Sequence, residues 1–109
     1  MRILNYTPHL IRIVSADGAV IAEIPPEPVS IRLESETVRL GEIKGVPLSV
    51  TRYGEPTGLP APASDTLLVV SQLVFGACPS RRDLCVPAEA VRDAAGRIVG
   101  CQSLGMRPD

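Results

Sequence analysis

The chain has 109 residues, 45% of them hydrophobic, and sets 11 Lys plus Arg against 12 Asp plus Glu. That length supports one hydrophobic core and no second domain, so residues 1–109 are read as a single ligand-binding domain. A net charge of −1 gives no overall attraction for a polyanion and argues against general binding to nucleic-acid polymers.

Ten of the basic residues are Arg, the side chain that grips phosphate or carboxylate through a planar fork, so a small anionic ligand is compatible with the composition. Apolar runs such as Leu67 to Val70 are too short to span a bilayer, and Met1-Arg2-Ile3-Leu4 passes directly into polar Asn5 without a signal-peptide core. The expectation is a cytoplasmic protein without membrane attachment. Cys78, Cys85 and Cys101 include no C-x-x-C pair, which points to reduced, partly buried thiols.

Proline and glycine interrupt the chain at short intervals, the rhythm of short strands joined by turns, and the fold class predicted is mainly β (α+β), a small antiparallel sheet with hairpins and one short helix. Residues 10–14 read as a strand, Asp17-Gly18 as a hairpin turn and 19–24 as the returning strand. After Pro25-Pro26-Glu27-Pro28, the apolar residues Val29, Ile31 and Leu33 alternate with Ser30, Arg32 and Glu34, the pattern of a half-buried strand that 37–40 continues. Residues 41–45 offer a turn before a strand over 46–53, entered at Pro47 as a sheet edge permits.

Residues 54–64 hold three prolines and two glycines and read as an ordered surface loop. The apolar run 65–70 predicts a buried strand. Ser71 is placed to cap a helix over 72–77, with Leu73, Val74 and Ala77 packing on the sheet and Pro79 ending it. Residues 90–92 and 97–104 form a second ribbon around a turn at 93–96, and 106–109 should fray.

Catalytic signatures are absent from the sequence. His9 is the single histidine, no Gly-x-Ser-x-Gly elbow surrounds a serine, and no phosphate-binding glycine pattern occurs. No cofactor and no metal site is predicted. Glu34 and Glu36 at i, i+2 fit a solvated strand face better than acid/base chemistry. In Asn5-Tyr6-Thr7-Pro8-His9 the residues are turn formers whose side chains hydrogen-bond their own backbone; a ligand contact through Asn5, Thr7 or His9 is the competing assignment.

Two segments carry positive signals. In Ser80-Arg81-Arg82-Asp83, adjacent arginines in a proline-flanked loop suit a diphosphate, with Asp83 orienting one fork or accepting from a ribose hydroxyl; a surface Arg-Asp ion pair is the alternative. In Arg52-Tyr53-Gly54-Glu55, Tyr53 suits a base and Glu55 sugar hydroxyls or an exocyclic amine, against an ordinary strand-end tyrosine. Phe75 is a second stacking candidate.

The ordered set Leu4-Asn5-Tyr6-Thr7-Pro8-His9, Tyr53-Gly54-Glu55 with Gly58-Leu59-Pro60, Val70-Ser71, Arg81-Arg82-Asp83 and Val91-Arg92-Asp93 to Gly96-Arg97-Ile98-Val99-Gly100-Cys101 resembles a family of short proteins encoded by phages and prophages, marked by an N-terminal L-N-x-T-P-H motif. Tyr6 departs from the smaller or aliphatic residue expected there. The resemblance implies a bacterial-host cytoplasm and the company of anti-defence sponges, such as the Sequestin and Lockin groups, that sequester nucleotide signals of the Thoeris and CBASS systems. The expected function is sequestration, without cleavage, of a cyclic ADP-ribose-type or cyclic oligonucleotide signal by a homo-oligomer whose subunits share the pocket. A protein-binding inhibitor of a host enzyme, or a nucleotide-signal hydrolase with His9 as base, are the other classes.

Overall fold

The computed structural model describes residues 1–29 and 31–108. Its elements are β1 (Arg2–Asn5), β2 (Ile11–Val14), β3 (Val20–Ile24), β4 (Ser35–Ile43), β5 (Val46–Tyr53), β6 (Thr66–Val69), α1 (Gln72–Ala77), β7 (Leu84–Arg92) and β8 (Ile98–Gly105). The protein is mainly β, built from hairpins with one short helix, as its turn spacing predicts. Six strands form one sheet in the order β1-β6-β7-β8-β2-β3, and β4-β5 form a separate ribbon. The sheet contains antiparallel hairpins β2-β3 and β7-β8, joined by parallel pairings of β1 with β6, β6 with β7, and β2 with β8.

Side-chain alternation divides the core between the two faces of the sheet. Leu4, Leu68 and Leu84 occupy one row of the register. On that face Leu68, Val70, Leu84 and Val86 bury against Val74 of α1, with Phe75, Ile31 and Leu59 at the margin. On the other face Val69, Cys85, Cys101 and Ile11 are buried with Ile13, Ile24, Leu67 and Leu104 around them. Each fully buried aliphatic contributes about 1.5–3 kcal/mol, so the centre of stability is the β6-β7 pair with α1 across it.

The sheet curls until its edge strands meet. Beyond β3, Glu27 N donates to Asn5 O on β1 at 2.7 Å, and Asn5 bridges Pro26 in parallel. The Asn5 amide donates to Ile24 O at 2.9 Å, binding the same seam through its side chain.

Three local expectations are revised by this architecture. Val29 and residues 31–34 are not in a strand: Arg32 makes a single bridge to Thr57, and Val29 is exposed, although Ile31 and Leu33 are half-buried. Ser30 lies outside the described residues. Alternation produced the partial burial, but one paired residue is not a ladder. Leu73 does not pack on the sheet; it is 56% exposed, and Phe75 is the half-buried residue instead.

The tail does not simply fray either. Arg107 donates to the carbonyls of Phe75, Cys78 (2.6 Å) and Arg81 (3.1 Å), and its guanidinium carbon sits 3.8 Å from the centre of the Phe75 ring. Asp109 lies outside the described residues.

The ribbon is built differently from the sheet. Its turn is the two residues Lys44 and Gly45, with φ of 52° and 81°, a left-handed pair that suits the twist of a tight hairpin. Gly41 instead follows a bulge in β4, where the register shifts between Arg39 and Gly41. All nine residues of β4 and all of β5 except Val50 are exposed. The radius of gyration, 16.8 Å, exceeds the roughly 13 Å expected for a compact chain of this length, as a projecting arm requires.

Candidate functional site

The loop after α1 is where sequence signals and surface concavity coincide. Ser71 accepts from Val74 N at 3.3 Å and starts the helix; Cys78 caps its end, and the chain turns through Pro79 and Ser80 into Arg81, Arg82 and Asp83 before entering β7. Because Asp83 O accepts from Leu68 N at 2.9 Å, the last residue of this loop is fixed to the buried sheet.

Arg81 and Asp83 form a fork. Nε and Nη2 of Arg81 donate to the two carboxylate oxygens of Asp83 at 2.8 Å each, and Nη2 also donates to Pro60 O at 2.8 Å. The hydrogen bonds to Arg81 hold the Asp83 carboxyl below the ordinary carboxylate range, and the same bonds push the Arg81 guanidinium up. Both side chains are largely enclosed, so this is a stiff local brace rather than a solvated surface pair. Among the described residues, Nη1 of Arg81 has no protein acceptor. Arg82 is exposed and donates from Nη1 to Pro108 O at 3.1 Å.

Two adjoining clefts share Ser80 and Arg81. One, of about 340 Å³, is lined by Ser64, Arg82 and Asp83 among others; the second, of about 360 Å³, is lined by Glu55, Leu59 and Cys78. The loop 54–64 forms the facing wall and is held in shape at three points. Gly54 N donates to Glu34 O, Arg32 and Thr57 exchange backbone bonds of 2.9 and 2.8 Å, and Pro60 O accepts from Arg81.

Arg81, Arg82, Asp83 and Glu55 are therefore gathered around one loop, and Ser80, which sequence reasoning treated only as part of the motif, is common to both clefts. Tyr53 is 46% exposed at the end of β5 but lines neither cleft. Phe75, the other candidate for stacking on a base, lines neither cleft, and one face of its ring is already covered by the Arg107 guanidinium.

Asn5, Thr7 and His9 belong to a different place. Asn5 is fully buried; its amide donates to His9 O (2.7 Å) and Ile24 O, and its Oδ1 accepts from Thr7 N (2.9 Å) and Thr7 Oγ1 (2.6 Å). All four bonds are internal, so this segment is a folded turn locked by an asparagine. His9 is exposed and lines an apolar groove of about 490 Å³ with Leu10, Arg12, Ile98 and Val99, away from the arginine loop. No group of three His, Cys, Asp or Glu residues is placed to hold a metal ion among the described residues.

The three cysteines are free thiols, Cys85 and Cys101 buried and Cys78 half-buried. Burial pushes the Cys85 thiol up to about 11. No described helix is long and apolar enough to cross a membrane. No protein-family model, no curated protein and no solved structure matches the chain.

Proposed function

We propose that the protein binds a small anionic nucleotide at the Ser80–Asp83 loop and sequesters it without cleaving it. The observation that carries this reading is the pair of clefts meeting at Ser80 and Arg81, with Arg82 on one side and Glu55 on the other. Each cleft lies near the lower bound of small-molecule sites, and together they offer length enough for a phosphate at the arginines and a sugar toward Glu55. Arg82 supplies a charge-assisted donor, Arg81 adds Nη1 from a side chain already immobilised by Asp83 and Pro60, and Ser80 supplies a hydroxyl. A braced donor loses little entropy on binding, which favours affinity over adaptability.

Sequestration is favoured over hydrolysis because the single histidine lines the apolar groove, which shares no residue with these clefts. The phage and prophage resemblance supplies the ligand class, a cyclic ADP-ribose-type or cyclic oligonucleotide immune signal in a bacterial cytoplasm. Titration calorimetry with one member of each class tests the reading. Saturable binding of either, with the nucleotide recovered unchanged, supports it; no heat with both at micromolar protein overturns it.

A further inference from the structure

We infer that the β4-β5 ribbon is a dimerisation arm whose apolar face packs on the same face of a second copy of this chain. The register separates its two faces cleanly. Ser35-Tyr53, Thr37-Thr51, Arg39-Ser49 and Glu42-Pro47 pair on one, where the two threonine hydroxyls lie 3.0 Å apart. Glu36-Arg52, Val38-Val50, Gly41-Leu48 and Ile43-Val46 pair on the other, and Leu40, the extra residue at the bulge, follows Val38 in the alternation. Beyond the Glu36-Arg52 pair, the second face holds no polar side chain.

Among the described residues, nothing covers that face. Leu40, Ile43 and Val46 are 68%, 61% and 60% exposed, and Val38 and Leu48 are also open to solvent. A lone two-stranded hairpin is at best marginally stable in water, and its apolar face is the surface that needs a partner. The exposed apolar side chains amount to roughly 500 Å², at the upper end of the largest patch a monomer carries. Two such faces in contact bury roughly 1,000 Å², the least that a specific interface between copies needs.

Charge selects a second copy as the occupant. The arm carries Lys44, the sole lysine, at its tip, and Glu34, Glu36 and Glu55 against Arg32 and Arg52 at its base, while Arg39 and Glu42 lie on the polar face, away from the packing surface. When two arms pack about a two-fold axis and run tip to base, Lys44 of each copy meets the acidic base of the other. This self-complementarity is what an isologous interface requires. Glu55 lies two residues beyond β5 and lines a cleft with Arg81, so the interface lies next to the proposed ligand site while standing independently of it.

Light scattering coupled to gel filtration tests the arm at micromolar concentration. Wild type elutes as a dimer. Leu48→Glu raises the dimer dissociation constant at least a hundredfold with an unchanged circular dichroism spectrum, and Thr51→Glu on the polar face leaves the dimer intact. Lys44→Glu weakens association, and adding Glu36→Lys in the same chain restores it. A monomeric wild type, which would assign the face to a different protein, overturns the inference. So does a dimer indifferent to Leu48→Glu. Failure of the charge swap to restore association overturns the tip-to-base arrangement.

Discussion

Arg81 grips Asp83 through two parallel hydrogen bonds of 2.8 Å, and in doing so it gives up two of its three nitrogens before any ligand arrives. The adjacent arginines are therefore unequal: Arg81 shapes the loop, while Arg82 stands exposed at a cleft. Arg82→Ala should weaken nucleotide binding tenfold or more, the loss of a charge-assisted bond of about 1.5–3 kcal/mol, with an unchanged unfolding midpoint. Arg81→Ala should weaken binding and lower stability together, by about 1–3 kcal/mol in urea unfolding, because Asp83 and Pro60 O lose their donor.

The same brace predicts an acid limb in stability. The folded Asp83 carboxyl titrates below its unfolded value of about 3.9, so its stabilisation is present above that pH and is lost as pH falls through the lower, folded value. Urea midpoints of wild type should drop from about pH 4 downward, and the Arg81→Ala variant should show a smaller drop over that range. Equal slopes for both proteins would mean that other carboxylates dominate the acid response.

Asn5 joins β1 to the end of β3 and also closes the turn at His9. Replacing it with Ala leaves several enclosed groups without partners, and stability should fall by about 3 kcal/mol. Asn5→Asp should be no better, since a carboxylate oxygen would face two carbonyl oxygens where the amide now donates. Nucleotide affinity, measured on folded protein, should change little in either variant. A large affinity loss would bring the 5–9 turn into the ligand site.

Thiol reactivity follows burial. With Cys85 pushed up to about 11 and Cys101 enclosed, only Cys78 should react rapidly with an aromatic disulfide reagent in native protein near neutral pH, and all three should react in denaturant. Because the folded thiol of Cys85 resists ionisation, its contribution to stability is full below the unfolded value of about 8.5 and is lost as pH rises toward 11. Rapid native labelling of more than one thiol would contradict the packing around Cys85 and Cys101.

Elements whose signals are local could be read directly. Asp17-Gly18, the Ser71 cap and the alternation from Val46 to Tyr53 each announce a turn, a helix and a strand within a few residues. The strand β1 carries no local signal because its partner, β6, is parallel and 64 residues further on, with Arg2 opposite Thr66, and nothing in four residues encodes that pairing. The first half of β7 extends the strand predicted over 90–92 back to Leu84, through Pro87, a residue that interrupts strand patterns. Described pairing with β6 involves only Leu84 and Cys85, so by Pro87 the missing N–H no longer faces that neighbour.

The site was legible to the same extent. Adjacent arginines beside Asp83 marked the loop, but which one would be consumed internally depended on Pro60 approaching from the far side of the cleft. Arg107 carried no signal, because its three carbonyl acceptors come from the helix end and the loop after it. Glu89, with φ of 58° inside β7, is likewise invisible in a sequence that places no glycine there.

The central claim is most directly tested by incubating the protein with lysate from cells running an active nucleotide-signalling defence, repurifying it, denaturing it and measuring the mass of what is released. An intact cyclic ADP-ribose-type or cyclic oligonucleotide signal, carried by wild type and absent from Arg82→Ala, is the predicted result. Release of a linear cleavage product, or of no nucleotide from wild type, would contradict it.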